Sequence, residues 1–188
     1  GSTLVAIGDV TNHGSGAVGE MARARSTVHA LAHLGLEPDR IAGEAANTLA
    51  RLASTFTTCI IAVLDRSTLE FRWCTAGHPY PIVVGADGTH DTLGTTSGPP
   101  LGSGFDHEYT LQRRSLRPGE TLVLYTDGLV ERPRETFDAG VEVLRRSLVG
   151  LDRTAHDLAD RLVRTLHPAE RQRDDLAIVT LHVGAAAG

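Results

Sequence analysis

Apolar residues along the chain switch repeatedly between short continuous runs and a helical period, and each switch predicts an element. Thr3 to Ile7 is a short apolar run that reads as a strand. From Gly14 the period becomes helical, with Val18, Met21, Ala22, Arg25, Val28 and Leu31 at spacings of three and four, and Ala24 and Ala32 keep the stripe narrow enough to lie close to a sheet. A second helix starts at Pro38, a favoured first-turn residue, and carries Ile41, Ala45, Leu49 and Leu52 on one face. Strand signals follow at Thr57 to Leu64, Leu69 to Thr75 and Ile82 to Val84, then at Thr89 to Leu93 after the Asp87-Gly88 turn. Alternation at Glu108 to Arg113 predicts another strand, and Arg117-Pro118-Gly119-Glu120 turns the chain into Thr121 to Tyr125. Helical spacing returns with Phe137, Val141, Leu144 and Leu148, then with Leu158, Leu162 and Leu166 after a start at Asp152 or Thr154. Leu176 to Val183 closes the pattern as a final strand.

The connections between strands are short, which favours antiparallel pairing because parallel strands need long crossovers. Helices grouped between runs of antiparallel strands predict an α+β fold, a layered α-β-β-α sandwich with sheet inside and helices outside. No repeat, linker or composition shift marks a boundary, so residues 1–188 read as one domain. Gly1-Ser2 reads as a cloning remnant, and a start directly in strand at Thr3 points to further sequence upstream.

Hydrophobic residues make up 41% and charged residues 22% of the chain, an ordinary balance for a folded protein. A net charge of -5 provides no broad basic surface for nucleic acid. No apolar run approaches the roughly 20 residues that span a bilayer, and no signal peptide is visible, so the chain reads as cytoplasmic with no membrane partner. Cys59 and Cys74 are too few for a disulfide scaffold or a thiolate zinc site. Pairing Leu64 with Leu69 across Asp65-Arg66-Ser67-Thr68 would set Cys59 opposite Cys74; in the cytosol they read as two reduced, buried thiols.

Three acidic motifs stand where apolar strands meet turns: Gly8-Asp9-Val10, Thr126-Asp127-Gly128 and Asp174-Asp175. One Asp at such a place caps a turn readily. Three strand ends can instead converge their carboxylates on hard cations, for Mg²⁺ and Mn²⁺ prefer oxygen ligands and keep several waters. Two such ions about 3.5–4 Å apart lower the pKa of a shared water and orient it toward phosphorus. No covalent nucleophile is then needed, in keeping with the absence of a Gly-x-Ser-x-Gly elbow or a phosphatase-like loop around either cysteine.

Five segments in order carry a family resemblance: Gly8-Asp9-Val10-Thr11-Asn12-His13-Gly14, Thr75-Ala76-Gly77-His78-Pro79-Tyr80-Pro81, Gly98-Pro99-Pro100-Leu101-Gly102, Leu124-Tyr125-Thr126-Asp127-Gly128-Leu129-Val130-Glu131 and Asp174-Asp175-Leu176-Ala177. The series resembles the SpoIIE-type branch of the metal-dependent serine/threonine protein phosphatases, the PPM superfamily. That resemblance implies two Mn²⁺ or Mg²⁺ ions held by Asp9, by the backbone carbonyl of Val10, by Asp127 and by Asp174, with Gly128 turning the backbone beside the site. Asp175 then supports the turn. The chain departs from the family at Asn12, where Gly is usual, and it begins after the family's upstream acidic strand motif.

His13, four residues past Asp9, is a candidate general acid for the leaving oxygen, or a polar residue opening the helix. His29 and His33 have the i,i+4 spacing of a zinc pair but no third ligand, which reads as an exposed helix face. His78 reads as structural. Arg23 and Arg25 could hold a substrate phosphate or simply face solvent. Gly94 to Asp106 reads as a mobile loop, and the resemblance makes it a partner-recognition surface. The resulting expectation is a cytoplasmic protein phosphatase acting on phosphoserine or phosphothreonine of a protein, typically an anti-sigma factor antagonist, and able to form a homodimer. The alternatives are a degenerate domain that binds a phosphoprotein without turnover, motivated by Asn12 and the missing upstream motif, and a hydrolase of small phosphate esters.

Overall fold

In chain order the elements are β1 (Ser2–Val10), α1 (Ser15–Ala32), α2 (Pro38–Leu52), β2 (Thr57–Asp65), β3 (Glu70–Ala76), β4 (Ile82–Val84), β5 (His90–Thr92), β6 (Gln112–Ser115), β7 (Thr121–Tyr125), a 3-10 turn (Asp127–Leu129), α3 (Phe137–Val149), α4 (Leu158–Leu166) and β8 (Ile178–His182). The computed structural model describes residues 1–11, 15–52, 55–94, 96–132, 134–149, 157–166 and 175–184. They form two units, Gly1–His78 with Gly94–Ser115 and Pro79–Leu93 with Leu116–Gly188. The expected start of the last helix at Asp152 or Thr154 lies outside the described residues.

The first unit is an antiparallel sheet in the order β1-β2-β3-β6 with α1 and α2 on one face. β1 and β2 pair along their full lengths, from Ser2 opposite Asp65 to Val10 opposite Thr57. Gly8 permits this close approach at the end that carries Asp9: a Cβ there would stand 2.6 Å from the Thr58 carbonyl oxygen. Ile41, Ala45 and Leu49 of α2 pack on Cys59, Ile61, Cys74 and Ala76, and each fully buried Ile or Leu contributes about 1.5–3 kcal/mol. The other face carries Ile60, Ala62, Phe71 and Trp73, also buried. On α1 the buried residues are Ala24 and Val28, whereas Val18 is 72% exposed and Arg25 is also exposed. Ala24 and Val28, with Leu31 and Ala32 beside them, thus form the core face of α1 as expected, while Val18 and Arg25 of the expected stripe turn to solvent.

The second unit is an antiparallel sheet in the order β5-β4-β7-β8 with α3 and α4 on one face. Ile82, Val84, Val123 and Tyr125 meet Val141, Leu144, Leu148 and Leu162. The strand of five residues at β7 is buried throughout, as its unbroken apolar run predicts. Strands thus pair antiparallel in both sheets, and the expected α+β class with helices flanking the sheets is the one this chain adopts.

Three local expectations change. In the β2-β3 hairpin Leu64 pairs with Phe71, not Leu69, so Cys59 faces Ala76 and Cys74 faces Ile61. The turn is longer because the Asp65 carboxylate accepts from Ser67 N, Ser67 Oγ and Thr68 N, and Leu69 takes a left-handed φ of 57°. Both cysteines are free and buried, as expected. The strand read at Glu108 starts instead at Gln112, since the Tyr109 hydroxyl donates to the Pro99 carbonyl at 2.7 Å and its ring lies over Gly98. The alternation there reflects one buried ring. The Gly94 to Asp106 segment is likewise tied down at its middle: Leu101 exchanges backbone bonds with Thr57 at 2.8 and 2.9 Å, and Gly98 bonds Thr75 and Gly77. Phe105, beyond the tie, is exposed.

Candidate active site

Asp9 and Val10 end β1 in the first unit. Asp9 is half-buried and stands opposite Thr58 in the β1-β2 register. Strand alternation puts Asp9 and Thr58 on the sheet face away from α1 and α2. The Thr58 hydroxyl reaches the Asp9 carbonyl oxygen at 3.4 Å and the His78 Nδ1 at 3.0 Å. His78 is buried, so the structural role expected of it takes the form of a bond to the residue that faces Asp9. Gly77 precedes it at a φ of 65°, with Pro100 filling the space that a Cβ would need. Thr11, two residues past Asp9, uses both its amide and its hydroxyl to hold the Phe56 carbonyl, so the chain leaves β1 along a fixed path.

Asp127 lies two residues past the end of β7 in the second unit and opens the 3-10 turn. Its carbonyl accepts from Val130 N and Glu131 N, each at 2.8 Å, and its Oδ1 accepts from Gly128 N at 3.0 Å. Asp127 makes no ion pair among the described residues. A half-buried carboxylate with one backbone bond and no arginine on it retains acceptor capacity for a cation. Beside it, Thr126 is bonded three ways to Ala177: Thr126 N to the Ala177 carbonyl at 3.0 Å, Ala177 N to Thr126 Oγ1 at 2.9 Å, and Thr126 Oγ1 to the same carbonyl at 3.4 Å. This brings the segment that follows Asp174-Asp175 alongside Asp127.

Asp174, His13 and Asn12 lie outside the described residues. Among the described residues no group of three or more His, Cys, Asp and Glu side chains forms a metal cluster. The donors that the sequence singles out are carboxylate and main-chain oxygens, a set that suits Mg²⁺ or Mn²⁺ rather than a thiolate-bound metal. Arg23 pairs with Glu20 at 3.5 Å along α1, and Arg25 is exposed. His29 on α1 and His33 just past its end are both exposed, His33 Nδ1 donating to the His29 carbonyl at 3.0 Å. Thr58 was not singled out by the sequence, and Thr126 entered only as a member of the Thr126-Asp127-Gly128 motif, with no role of its own. The available signal was a hydroxyl directly before Asp127, at the point where a strand must give way to a turn.

The family model described as Stage II sporulation protein E (SpoIIE) matches residues 1–184. The structure of the RsbU and RsbW domains of Rv1364c from Mycobacterium tuberculosis is similar with a TM-score of 0.87 and 25% identity, over 100% of this chain and 53% of that one. The PP2C phosphatase domain of SpoIIE from Bacillus subtilis, solved with a fragment of its regulatory domain, is similar with a TM-score of 0.78 and 18% identity, over 97% of this chain and 54% of that one. Protein IcfG of Synechocystis is 30% identical over 76 residues, 40% of this chain and 12% of IcfG. The chain therefore spans about half of each of these two structures and a small part of the cyanobacterial protein.

Proposed function

Because the chain belongs to the SpoIIE family and has the fold of PP2C-type phosphatase domains, we propose that it is a Mn²⁺- or Mg²⁺-dependent phosphatase that hydrolyses phosphoserine or phosphothreonine on a protein. The observation that carries this reading is the coincidence of a family match along residues 1–184 with an Asp127 carboxylate held in the turn after β7 and, among the described residues, engaged by no arginine.

Asp9, Asp127 and Asp174 supply carboxylates for two ions, and the Val10 carbonyl supplies a neutral donor. Bound ions of this kind lower the pKa of a shared water and neutralise phosphoryl oxygens. The role of Asp127 is electrostatic: its charge is fixed in place by the turn that follows it. His13 protonates the leaving serine or threonine oxygen, which an alkyl leaving group requires and an activated aryl leaving group does not. Both units serve one phosphatase domain over residues 1–188. The physiological substrate is an anti-sigma factor antagonist in the cytoplasm; the RsbU-RsbW likeness supports this kind of partner. No helix among the described residues is long and apolar enough to cross a membrane.

Phosphate release from an aryl phosphate across a Mn²⁺ titration tests the reading. Saturable turnover is expected, and Asp127→Asn, which removes a ligand charge at nearly constant volume, is expected to abolish it while the far-ultraviolet dichroism stays unchanged. Undiminished turnover in that variant would remove Asp127 from the site, and no turnover in the folded parent at excess Mn²⁺ would overturn the phosphatase assignment.

A further inference from the structure

Thr126 occupies the rung at which β7 stops being a strand. Its carbonyl accepts from Leu129 N at 3.0 Å and so belongs to the turn that presents Asp127. In an antiparallel ladder the residues of a bonded pair exchange two N–H to carbonyl bonds. The β7-β8 register, with Tyr125 opposite Ile178, makes Thr126 and Ala177 the next pair. One bond of that pair is ordinary, from Thr126 N to the Ala177 carbonyl at 3.0 Å. The other ends on the side chain: Ala177 N donates to Thr126 Oγ1 at 2.9 Å. The hydroxyl takes the place that its own carbonyl has left. Thr126 is almost fully buried, at 2% exposure, so no bulk water stands ready to replace the bond.

The consequence concerns two acidic motifs. Asp127 follows this rung directly, and the described segment from Asp175 enters the sheet there at Ala177. We propose that Thr126 is a positioning residue whose hydroxyl closes the last rung between β7 and the segment that leads into β8, and so sets the entry of that segment at Ala177 relative to Asp127 for metal binding. This rests on the reading of Asp127 and Asp174 as metal ligands. Thr126 touches no reacting atom; it acts through the two segments it joins. Supporting bonds of this kind are worth about 10- to 100-fold in metal affinity.

The test uses the 188-residue chain with Thr126→Val, which removes the hydroxyl at constant shape, and Thr126→Ser, which keeps it. Two quantities are measured: exchange of the Ala177 amide by NMR, and the dissociation constant of Mn²⁺ from the free-ion signal in electron paramagnetic resonance. In Thr126→Val the Ala177 amide is expected to exchange faster and Mn²⁺ to bind about 10- to 100-fold more weakly, with Thr126→Ser close to the parent in both. Unchanged exchange in Thr126→Val would overturn the hydroxyl's place in the ladder. Faster exchange with unchanged Mn²⁺ affinity would reduce Thr126 to a structural residue and overturn the positioning role. A folded parent that binds no Mn²⁺ would overturn both the metal reading and the positioning role, while the exchange measurement would still decide the rung. Should Thr126→Val not fold, Thr126→Ala makes the same deletion without added bulk and is held to the same outcomes.

Discussion

The thiols of Cys59 and Cys74 lie on neighbouring strands under the α1-α2 layer, and their surroundings hold them protonated. Burial pushes the Cys74 thiol up to about 12, with the Asp39 carboxylate adding to the effect. Burial raises Cys59 further, with Cys74 adding to it. An unfolded chain carries thiols that ionise near 8.5. Below that pH both states keep their protons and the contribution is fully present. As pH rises from about 8.5 toward about 12, the unfolded state releases protons that the folded state retains, and stability falls by up to about 1.4 kcal/mol per pH unit for each thiol. Denaturant midpoints at pH 8 and pH 10 are expected to show this loss, with a shallower fall in Cys74→Ala. An identical fall in parent and variant would remove Cys74 from the effect. These residues are inert packing groups, and their signal in the sequence, two cysteines in apolar strand runs, was sufficient to say so.

At the scale of elements, the tie of Gly98 and Leu101 to the ends of β2 and β3 makes the Gly98-Pro99-Pro100-Leu101-Gly102 motif part of the sheet's margin rather than a free loop. Amides in regular backbone bonds open only with the element that holds them. The Gly98 and Leu101 amides are therefore expected to exchange far more slowly than those of Phe105 and Asp106, and equal rates along the segment would contradict the tie. Elements set by a strong period or a hard stop were legible in advance: α2 begins at Pro38 as expected, and β7 matches its apolar run residue for residue. Features decided by side-chain capture of backbone were not. The β2-β3 register depends on three bonds to one carboxylate and on a leucine in the left-handed region, neither of which alternation encodes. The segment around Tyr109 imitates a strand because one buried ring among polar neighbours gives the same pattern as a pleat. On α1 the expected Ala24, Val28, Leu31 and Ala32 do pack on the core, while Val18 and Arg25 turn to solvent.

For the whole molecule, the acidic motifs are divided between the units: Asp9 ends β1 of the first, and Asp127 opens the turn after β7 of the second. The order of motifs along the sequence could reveal the family because order survives when spacing varies. The bonds that hold Asp9 and Asp127, through Thr58 and Thr126, could not be read from it because they join positions 49 and 51 residues apart. A metal that binds the folded chain and not the unfolded one must stabilise the fold by mass action, by about 2.7 kcal/mol at a free concentration one hundred times the dissociation constant. For a chain of 188 residues that corresponds to a rise in melting temperature of about 5–11 °C. The expected outcome is such a rise with Mn²⁺ for the parent and little or none for Asp127→Asn, read by calorimetry without any substrate. Because the readout needs no turnover, a rise in melting temperature without phosphate release would leave the metal ligands standing and favour the degenerate, phosphoprotein-binding reading over the phosphatase. A parent whose melting temperature ignores Mn²⁺ would refute the ligand set itself.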